Sequence, residues 1–581
     1  MIMTASQSLL PGEKRPENDF IPADQDAIGV VNVTDSVSSR DSETEAAPPL
    51  ARVVSDGHLS RVVTPGPYTI FTRIQKSFIV AMISVAATFS GLSGNIYFPA
   101  IPDIASDLGV SKEAVTLTVT AYMIFQGLSP SFWGALSDSR GRRLTYICTF
   151  IVYIGACIGL AETRHYFQLV ILRCLQSTGS ASTIAIGAGV LGDITTREER
   201  GGYMGIYNAG LLAPVAIGPI IGGAMAGSLG WRSIFWFLTI FAGAFLILLI
   251  FFLPETLRSL VGNGSFPAKG LAESPLAYLQ RRRHLASLPQ DGSFDLTQTQ
   301  SIPSPRPKVH MNPIAPILIL FNKQVTSIIL FLSLYYTVWQ MIISSMSSLF
   351  SETYGLNSTQ LGLCFIPNGV GCVLGTYATG KYLDWDYARE KVKHATRLAA
   401  TTTHDPEHGP PPTDVQIHLQ QTFPLEKTRL RPALLNSLLE IISVLIFGWT
   451  VHYHIHISVP IIFIFVLGWS STSIQGVITT LLVDVFHKRG ASATATINLA
   501  RCLMGAGGTA AVLPLTNSRL GTGWTFTMLS GLLVVGLGFL WVQVRWGPRW
   551  RVEWEMEEKE KEKELEVKER EKRGARRNRE R

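Results

Sequence analysis

Twelve long apolar stretches constrain the fold of this 581-residue chain more than any other feature of its sequence. Each is about 20 residues long, which is the length that an α-helix needs to cross the ~30 Å hydrocarbon core of a bilayer. Backbone amides must be paired within lipid, so each stretch is expected to be helical. The stretches lie at 77–99, 114–136, 144–161, 166–192, 202–227, 231–253, 325–349, 359–382, 432–451, 459–484, 491–515 and 523–543. The sequence therefore predicts an all-α membrane protein with twelve transmembrane helices.

The composition excludes several other classes of protein. Charged residues make up 16% of the chain, against about 25% in a typical soluble protein. A string of soluble domains or a nucleic-acid binder is therefore not expected, although the formal charge is +7. The six cysteines lack metal-ligand spacing, so we expect no metal site. We find no nucleophile–base pattern of an enzyme and no phosphate-binding glycine motif for ATP.

The distribution of Lys and Arg orients the predicted helices. About 22 of these residues fall in the loops on one side and about 4 on the other, and the basic side of a membrane protein faces the cytoplasm. Both termini are then cytoplasmic. The predicted segments are a disordered tail (1–76), a six-helix half (77–253), a central loop (254–324), a second half (325–543) with a cytoplasmic loop (384–431), and a charged tail (544–581), for which we expect a solvated helix.

The two halves share sequence features that indicate an internal repeat. Gly134 and Asp138 follow the second stretch, and Gly380 and Asp384 stand four residues apart after the eighth. The fifth and eleventh stretches share a second pattern, Arg-Gly followed by Asn and then a glycine pair or Gly-Pro. Two six-helix pseudo-repeat halves place a substrate site between them, near the middle of the membrane.

Several of these motifs resemble those of the major facilitator superfamily. The segment 134–143, Gly-Ala-Leu-Ser-Asp-Ser-Arg-Gly-Arg-Arg, is similar to its signature loop. Arg173-Cys-Leu-Gln176 resembles its fourth-helix motif, although Ser177 stands where the family has glycine. Leu-Pro-Glu-Thr-Leu at 253–257 resembles the twelve-span drug:proton antiporters. The segments 95–102, 423–431 and 482–486 resemble the fungal quinidine-resistance branch of that family.

The resemblance implies a proton-coupled exporter of drugs, toxins or metabolites that works by alternating access. It implies small-molecule substrates, protons and lipid as partners, a monomer, the proton gradient as energy source, no cofactor, and a place in the plasma membrane or, alternatively, the vacuolar membrane. Two alternatives stay open: an organic acid, amino acid or polyamine exporter or uptake porter, and a transporter-like nutrient sensor. Positive charge from Arg173 and Arg501 in a cavity would favour an anion such as a di- or tricarboxylate.

A cytoplasmic latch is predicted at the signature loop. Asp138 is expected to pair with Arg142 and to cap the start of the eleventh helix, where free backbone N–H groups favour an anion. Asp384 is its expected partner in the second half. The predicted latch residues are Gly134, Asp138, Gly141, Arg142, Arg143 and Asp384.

Proton coupling is predicted at charged residues inside the membrane. An arginine near the centre of a membrane helix costs about 2.5–3.5 kcal/mol on insertion, so it faces a cavity and has a partner. Arg173 is expected to hold a nearby acid ionised or to bind an anion, with a structural role as the alternative; Arg501 has a similar place. Glu440 is the main acid at mid-membrane, either structural or coupling. The coupling candidates are Arg173, Gln176, Arg501 and Glu440.

The fifth stretch carries the motif that the resemblance associates with antiporters. Its residues are Gly218, Pro219, Gly222 and Gly223. Proline removes a backbone hydrogen bond and paired glycines allow a second helix to approach closely. We expect a bend that closes the cavity on one side.

Uncharged polar and aromatic residues on the central helices are the predicted cavity lining. Such a mixture suits a moderately apolar substrate. The candidates are Asn95, Tyr97, Tyr122, Gln126, Asn208, Tyr335, Tyr336, Trp339, Gln340, Asn368, Gln475 and Asn498. A glycosylation sequon at Asn357 lies on the predicted outer side.

Overall fold

The computed structural model describes residues 68–196, 199–264, 322–402, 425–485 and 490–580, with isolated positions between 268 and 320. The predicted tail before residue 68, most of the central loop and residues 403–424 lie outside this part of the chain. All regular structure in the described part is helical.

Twelve long helices account for most of the described residues. They are α1 (Arg73–Asn95), α2 (Lys112–Arg140), α3 (Arg142–Ala161), α4 (Tyr166–Ile194), α5 (Arg200–Leu229), α6 (Arg232–Phe252), α7 (Lys323–Tyr354), α8 (Ile366–Thr402), α9 (Leu425–His452), α10 (Ser458–Val485), α11 (Gly490–Thr516) and α12 (Gly521–Glu580). Short helices follow α1 (Ile101–Leu108) and α6 (Arg258–Val261), and one precedes α8 (Ser358–Cys364).

Eleven of the helices in the described chain are long and apolar enough to cross a bilayer. The exception among the long helices is α2, which has 29 residues but carries many Ser, Thr and charged side chains. The all-helical membrane fold is confirmed, whereas the crossing by α2 stays a prediction. The structure also extends several predicted segments: α8 continues to Thr402, α9 begins at Leu425, and α12 continues to Glu580.

The helices pack as two similar halves, α1–α6 and α7–α12. In the first half α2 and α3 pack on α4, α1 packs on α5, and α3 packs on α6. The second half repeats these pairings, with α8 and α9 on α10, α7 on α11, and α9 on α12. Two seams join the halves: α2 against α11 and α5 against α8. This arrangement confirms the predicted pseudo-repeat.

The two ends of the bundle differ in how the halves contact each other. We call them the Lys112 end and the Arg142 end; the second is the one that we predicted to be cytoplasmic. At the Lys112 end, Lys112 of α2 pairs with Glu352 of α7 at 2.8 Å, and Asp103 accepts a hydrogen bond from Ser358. At the Arg142 end, none of the polar contacts between described residues joins the halves. The halves are therefore closed together at the Lys112 end.

Candidate functional site

The first half encloses a fully buried arginine on α4. Arg173 donates from Nη1 to the side-chain oxygen of Gln176 at 2.7 Å and to the carbonyl of Ser93 at 3.1 Å. Its guanidinium lies 4.2 Å from the ring centre of Tyr97 and 4.5 Å from that of Tyr122. The negative faces of these rings partly offset the charge.

Arg173 has no carboxylate partner among the described residues. Its Nε and Nη2 atoms are buried without a hydrogen-bond acceptor there. The expectation that Arg173 holds a nearby acid ionised is not met in this conformation and stays a prediction for another state. Instead, a buried cation lacks a counter-charge, which is costly unless an anion is supplied.

The second half carries a more accessible arginine on α11. Arg501 is half-buried; its Nη1 atom donates to Gln475 of α10 at 3.2 Å and its Nη2 atom to Asn498 at 2.9 Å. Its guanidinium lies 4.9 Å from the ring centre of Tyr336 on α7. Like Arg173, Arg501 forms no ion pair with a described residue, because its partners are neutral amides and an aromatic ring.

The α2–α11 seam connects the two arginine clusters. Asn498 donates from Nδ2 to the carbonyl of Gln126 at 3.2 Å. The Gln126 side chain in turn donates to Ser90 of α1 at 3.4 Å. The structure therefore brings the two arginines together with seven other predicted residues, six of which contact an arginine.

Other predicted cavity residues differ in their surroundings. Trp339 donates to Asn368 at 3.1 Å, and its ring packs on Tyr336 with centroids 5.6 Å apart, so these two residues extend the Arg501 cluster. Gln340 is also buried. Asn95 donates to the carbonyl of Gly91 in its own helix at 2.7 Å. Asn208 is exposed on α5.

Sequence reasoning missed several residues around Arg173. The side chain of Gln176 donates to the sulfur of Cys157 at 3.3 Å. Ser177, which replaces the family's glycine, donates to the carbonyl of Tyr122 at 2.6 Å and so fixes α4 to α2. Small residues on a membrane helix mark a close helix contact, and this signal could have identified Ser93 and Cys157; Ser177 had already been singled out in the sequence.

The predicted latch is formed within the first half. Arg142 pairs with Asp138, as expected, and also with Asp193 at the end of α4, 3.0 Å from its Nε atom. Gly141 joins α2 to α3 with a φ of 114°, a conformation that favours glycine. The predicted contact of Asp138 with the start of α11 stays a prediction, because the side chains of 486–493 lie outside the described residues.

Glu255 completes this network, although no role was predicted for it from the sequence. Its carboxylate accepts the backbone N–H groups of Arg142 at 2.8 Å and Arg143 at 3.2 Å, at the start of α3. It also accepts those of Thr256 and Leu257, each at 3.0 Å. A carboxylate at a helix N-terminus satisfies otherwise unpaired donors. The Pro-Glu-Thr motif after α6 is therefore an N-terminal cap for α3.

The two remaining latch residues of the first half, Arg143 and Gly134, differ in their contacts. The Arg143 side chain donates to the carbonyl of Ile250 at 2.5 Å. Gly134 lies in α2, and no described atom is within 4 Å of the place where a Cβ would be. Gly134 is therefore not required by close packing in this conformation.

The second half forms a similar network with different carboxylates from those predicted. Arg429 at the start of α9 pairs with Asp484 at the end of α10 at 2.9 Å, which repeats the Arg142–Asp193 pair. Asp384 is exposed and forms no ion pair with a described residue. Its neighbour Asp386 is buried instead and pairs with Arg431 at 3.2 Å. The prediction of Asp384 as the partner is therefore wrong by half a helical turn.

The glycines of the α5 motif contact both halves. A Cβ at Gly218 would lie 3.2 Å from that of Asn95, and Gly222 packs on the backbone of Ile96. A Cβ at Gly223 would lie 2.8 Å from the Cα of Gly362, in the short helix before α8. These contacts, together with Pro219 inside α5, pack the motif tightly against the end of α1 and the short helix before α8, towards the Lys112 end.

Asn357 lies beside this contact. Its side chain caps the short helix by accepting the N–H of Gln360 at 2.9 Å. The following Ser358 contacts Asp103, and Thr359 donates to the carbonyl of Gly223 at 3.3 Å. Asn357 itself is exposed and only Ser358 of the sequon is buried, so glycosylation at this position stays a prediction.

Glu440 is separate from both clusters. It lies near the middle of α9, is fully buried, and neither carboxylate oxygen has a hydrogen-bond partner among the described residues. The arginines and the latch do not reach it. Among the described residues, no group of three or more His, Cys, Asp and Glu side chains could hold a metal.

Comparison with known proteins identifies relatives over most of the chain. A family model described as the Major Facilitator Superfamily matches residues 83–406. Citrate exporter 1 of Aspergillus niger is 41% identical over 487 residues, which cover 84% of this chain and 88% of the relative. MFS antiporter QDR2 of Candida albicans is 34% identical over 471 residues, covering 81% of this chain and 88% of the relative.

A solved structure shares the fold at low identity. It is the crystal structure of a bacterial homologue of the human lysosomal transporter Spinster, in an inward-facing and unoccupied conformation. The identity is 12% and the TM-score 0.51, over 83% of this chain and 98% of that chain.

Proposed function

Because the chain belongs to the Major Facilitator Superfamily, we propose that it exports small organic anions that carry several carboxylate groups. As a member of this family it is a multi-pass membrane transporter of small molecules and not an enzyme. The resemblance to the quinidine-resistance branch agrees with its relatives, which include QDR2 proteins.

The observation that carries the proposal is the pair of arginines without carboxylate partners. Arg173 of α4 is fully buried and Arg501 of α11 is half-buried, one in each half. A guanidinium binds a carboxylate with two parallel hydrogen bonds. A polycarboxylate between the halves would supply the missing counter-charge, first to Arg501 and, after movement of Tyr97 and Tyr122, to Arg173. The similarity to a citrate exporter supports this class of substrate.

Inward proton flow is the driving force that we propose for this export, which makes the protein an antiporter. Alternating access would expose the arginines at the Arg142 end and then at the Lys112 end. We place the Arg142 end and both termini in the cytoplasm, and the protein in the plasma membrane. The bias of Lys and Arg supports the orientation.

Export of several unrelated drugs is the second candidate function. Tyr336 and Trp339 form an aromatic surface beside Arg501, with ring centroids 5.6 Å apart. Such surfaces bind apolar and cationic compounds, and QDR2 of Candida glabrata is described as a multidrug transporter. An uncompensated positive charge next to this surface favours the anion.

Citrate efflux from cells with and without the protein tests the proposal. Arg501→Gln should lower citrate efflux by about tenfold or more, because a hydrogen bond to a charged group is worth about 1.5–3 kcal/mol. Arg164→Gln is the matched control, since Arg164 is exposed in the loop between α3 and α4. An uncoupler should lower efflux by the wild type. Citrate efflux equal in Arg501→Gln and wild type, or export of a cationic drug alone, would contradict the proposal.

A further inference from the structure

Glu440 is a buried acid that lies outside the proposed substrate site. Its side chain is fully buried in α9, and the carboxylate oxygens have no hydrogen-bond partner in the described chain. An isolated carboxylate inside a protein is very costly, and such a group takes up a proton instead. Asp193 and Asp484, by contrast, are paired with arginines.

Hydroxyl groups from two other helices surround this carboxyl group. Ser470 and Ser471 of α10 lie beside it, and Tyr335 of α7 is the titratable group near it. Ser470 donates to the carbonyl of Leu467 at 3.1 Å and Tyr335 to that of Leu533 at 2.9 Å. The Ser471 hydroxyl has no partner in the described part of the chain. None of these hydroxyls donates to Glu440 in the observed geometry, so no described donor compensates an ionised carboxylate there.

We propose that Glu440 is the residue that binds and releases the coupling proton, and that it acts on the substrate through Arg501. The proposal rests on the function proposed above. On protonation, one carboxylate oxygen gains a hydrogen and the negative charge is lost; on release, the proton leaves to water and the charge returns. The ionised form needs donors, and the nearby hydroxyls of Ser470, Ser471 and Tyr335 are the groups that can turn towards it.

The neighbours of Glu440 connect it to the substrate site. Ser471 lies one helical turn before Gln475, which accepts a hydrogen bond from Arg501 at 3.2 Å. Tyr335 precedes Tyr336, whose ring lies 4.9 Å from the Arg501 guanidinium. A shift of α10 or α7 on ionisation of Glu440 therefore moves two of the groups that hold Arg501. Proton binding at one place and anion binding at another are then linked through two helices.

Purified protein in liposomes separates substrate binding from proton coupling. Glu440→Gln keeps the shape of the neutral carboxyl group but cannot ionise. We expect citrate exchange at equal pH to stay within about twofold of wild type, and citrate movement driven by a pH gradient to fall at least tenfold. Glu162→Gln, an exposed acid in the loop between α3 and α4, should leave both rates unchanged.

Ser471→Ala provides a second test that keeps the carboxyl group. Loss of a donor to the ionised form should move the pH of half-maximal transport upwards by about 0.5 unit. If Glu440→Gln does not fold, an unchanged pH profile of Ser471→Ala overturns the proposal.

The remaining outcomes distinguish this proposal from the proposed function. Full gradient-driven transport by Glu440→Gln overturns the role of Glu440 while antiport stands. Equal loss of exchange and gradient-driven transport, with an unchanged melting temperature, also overturns it, because the residue then acts on substrate directly. If the wild-type protein exchanges citrate but a pH gradient does not drive citrate movement, proton antiport itself is contradicted. The proposed role of Glu440 is then contradicted as well.

Discussion

Arg173 is a buried charged side chain whose partners are all neutral. It is held by neutral groups alone, the amide of Gln176, the carbonyl of Ser93 and the rings of two tyrosines. Such an arrangement leaves part of the cost of burying a charge uncompensated. A residue that is retained at this cost is expected to serve binding and not stability.

Replacement of Arg173 tests this interpretation. Arg173→Met removes the buried charge at similar length, so the melting temperature should stay within about 3 °C of wild type or rise, while citrate transport is lost. Arg173→Lys should restore transport only in part, because lysine keeps the charge without the planar donor fork. Thermal unfolding in detergent and efflux at matched surface level are the measurements. A fall of melting temperature with retained transport in Arg173→Met would show a structural role.

At this scale the sequence predicts which residues matter better than what they contact. A charged or amide side chain in an apolar stretch is visible in the sequence, and Arg173, Gln475 and Arg501 were found this way. The partner depends on helix rotation and packing, which the sequence does not specify. For this reason the sequence did not show that no described acid lies beside Arg173. It also did not show that Asp386, and not Asp384, forms the ion pair with Arg431.

The helix ends at the Arg142 end act together through one charge network. Arg142 at the start of α3 contacts the end of α2 through Asp138 and the end of α4 through Asp193. Glu255, beyond α6, caps the same helix. Four helix ends are thereby fixed to one another, so this half can move as a rigid unit during transport.

Asp138→Asn should weaken this network without unfolding the protein. The amide still accepts a hydrogen bond from Arg142 but loses the charge, and Asp193 continues to pair with the guanidinium. We expect turnover to fall by about three- to tenfold at unchanged membrane level. Asp107→Asn is the control, because Asp107 pairs with Arg232 at 2.7 Å on an exposed surface, where ion pairs contribute little. If Asp138→Asn transports substrate at the wild-type turnover rate, the latch has no role in the mechanism.

The number and approximate positions of the long helices could be predicted from the sequence. A long apolar stretch in a bilayer must pair its own backbone N–H and C=O groups, and a helix does this within one segment. The residues at which the helices end could not be predicted in this way, because outside the membrane local charge and capping decide where a helix stops. The structure continues α12 to Glu580 through an alternating Glu/Lys segment, which side-chain pairs at i and i+4 stabilise. Glu255 was missed because its role depends on the distance between two helix ends.

The whole molecule is closed at the Lys112 end. Asp103 contacts Ser358, Lys112 pairs with Glu352, and Asn517 donates to Glu113, each across the two halves. At the Arg142 end, the described charge networks stay within one half each. Transport by alternating access requires these Lys112-end contacts to break in every cycle, because the arginines must reach the other side of the membrane.

A disulfide across the Lys112 end should therefore stop transport. Asp103→Cys combined with Ser358→Cys places two thiols where side chains already touch, within reach of a disulfide. Oxidation should abolish citrate efflux, and a reductant should restore it. Each single variant, Asp103→Cys or Ser358→Cys, treated with the same oxidant should keep its efflux, because one thiol cannot form the link. The native cysteines are buried or half-buried, so the oxidised wild type controls for them. Efflux that continues with the 103–358 disulfide formed would show that this end need not open, and that the substrate leaves by another path.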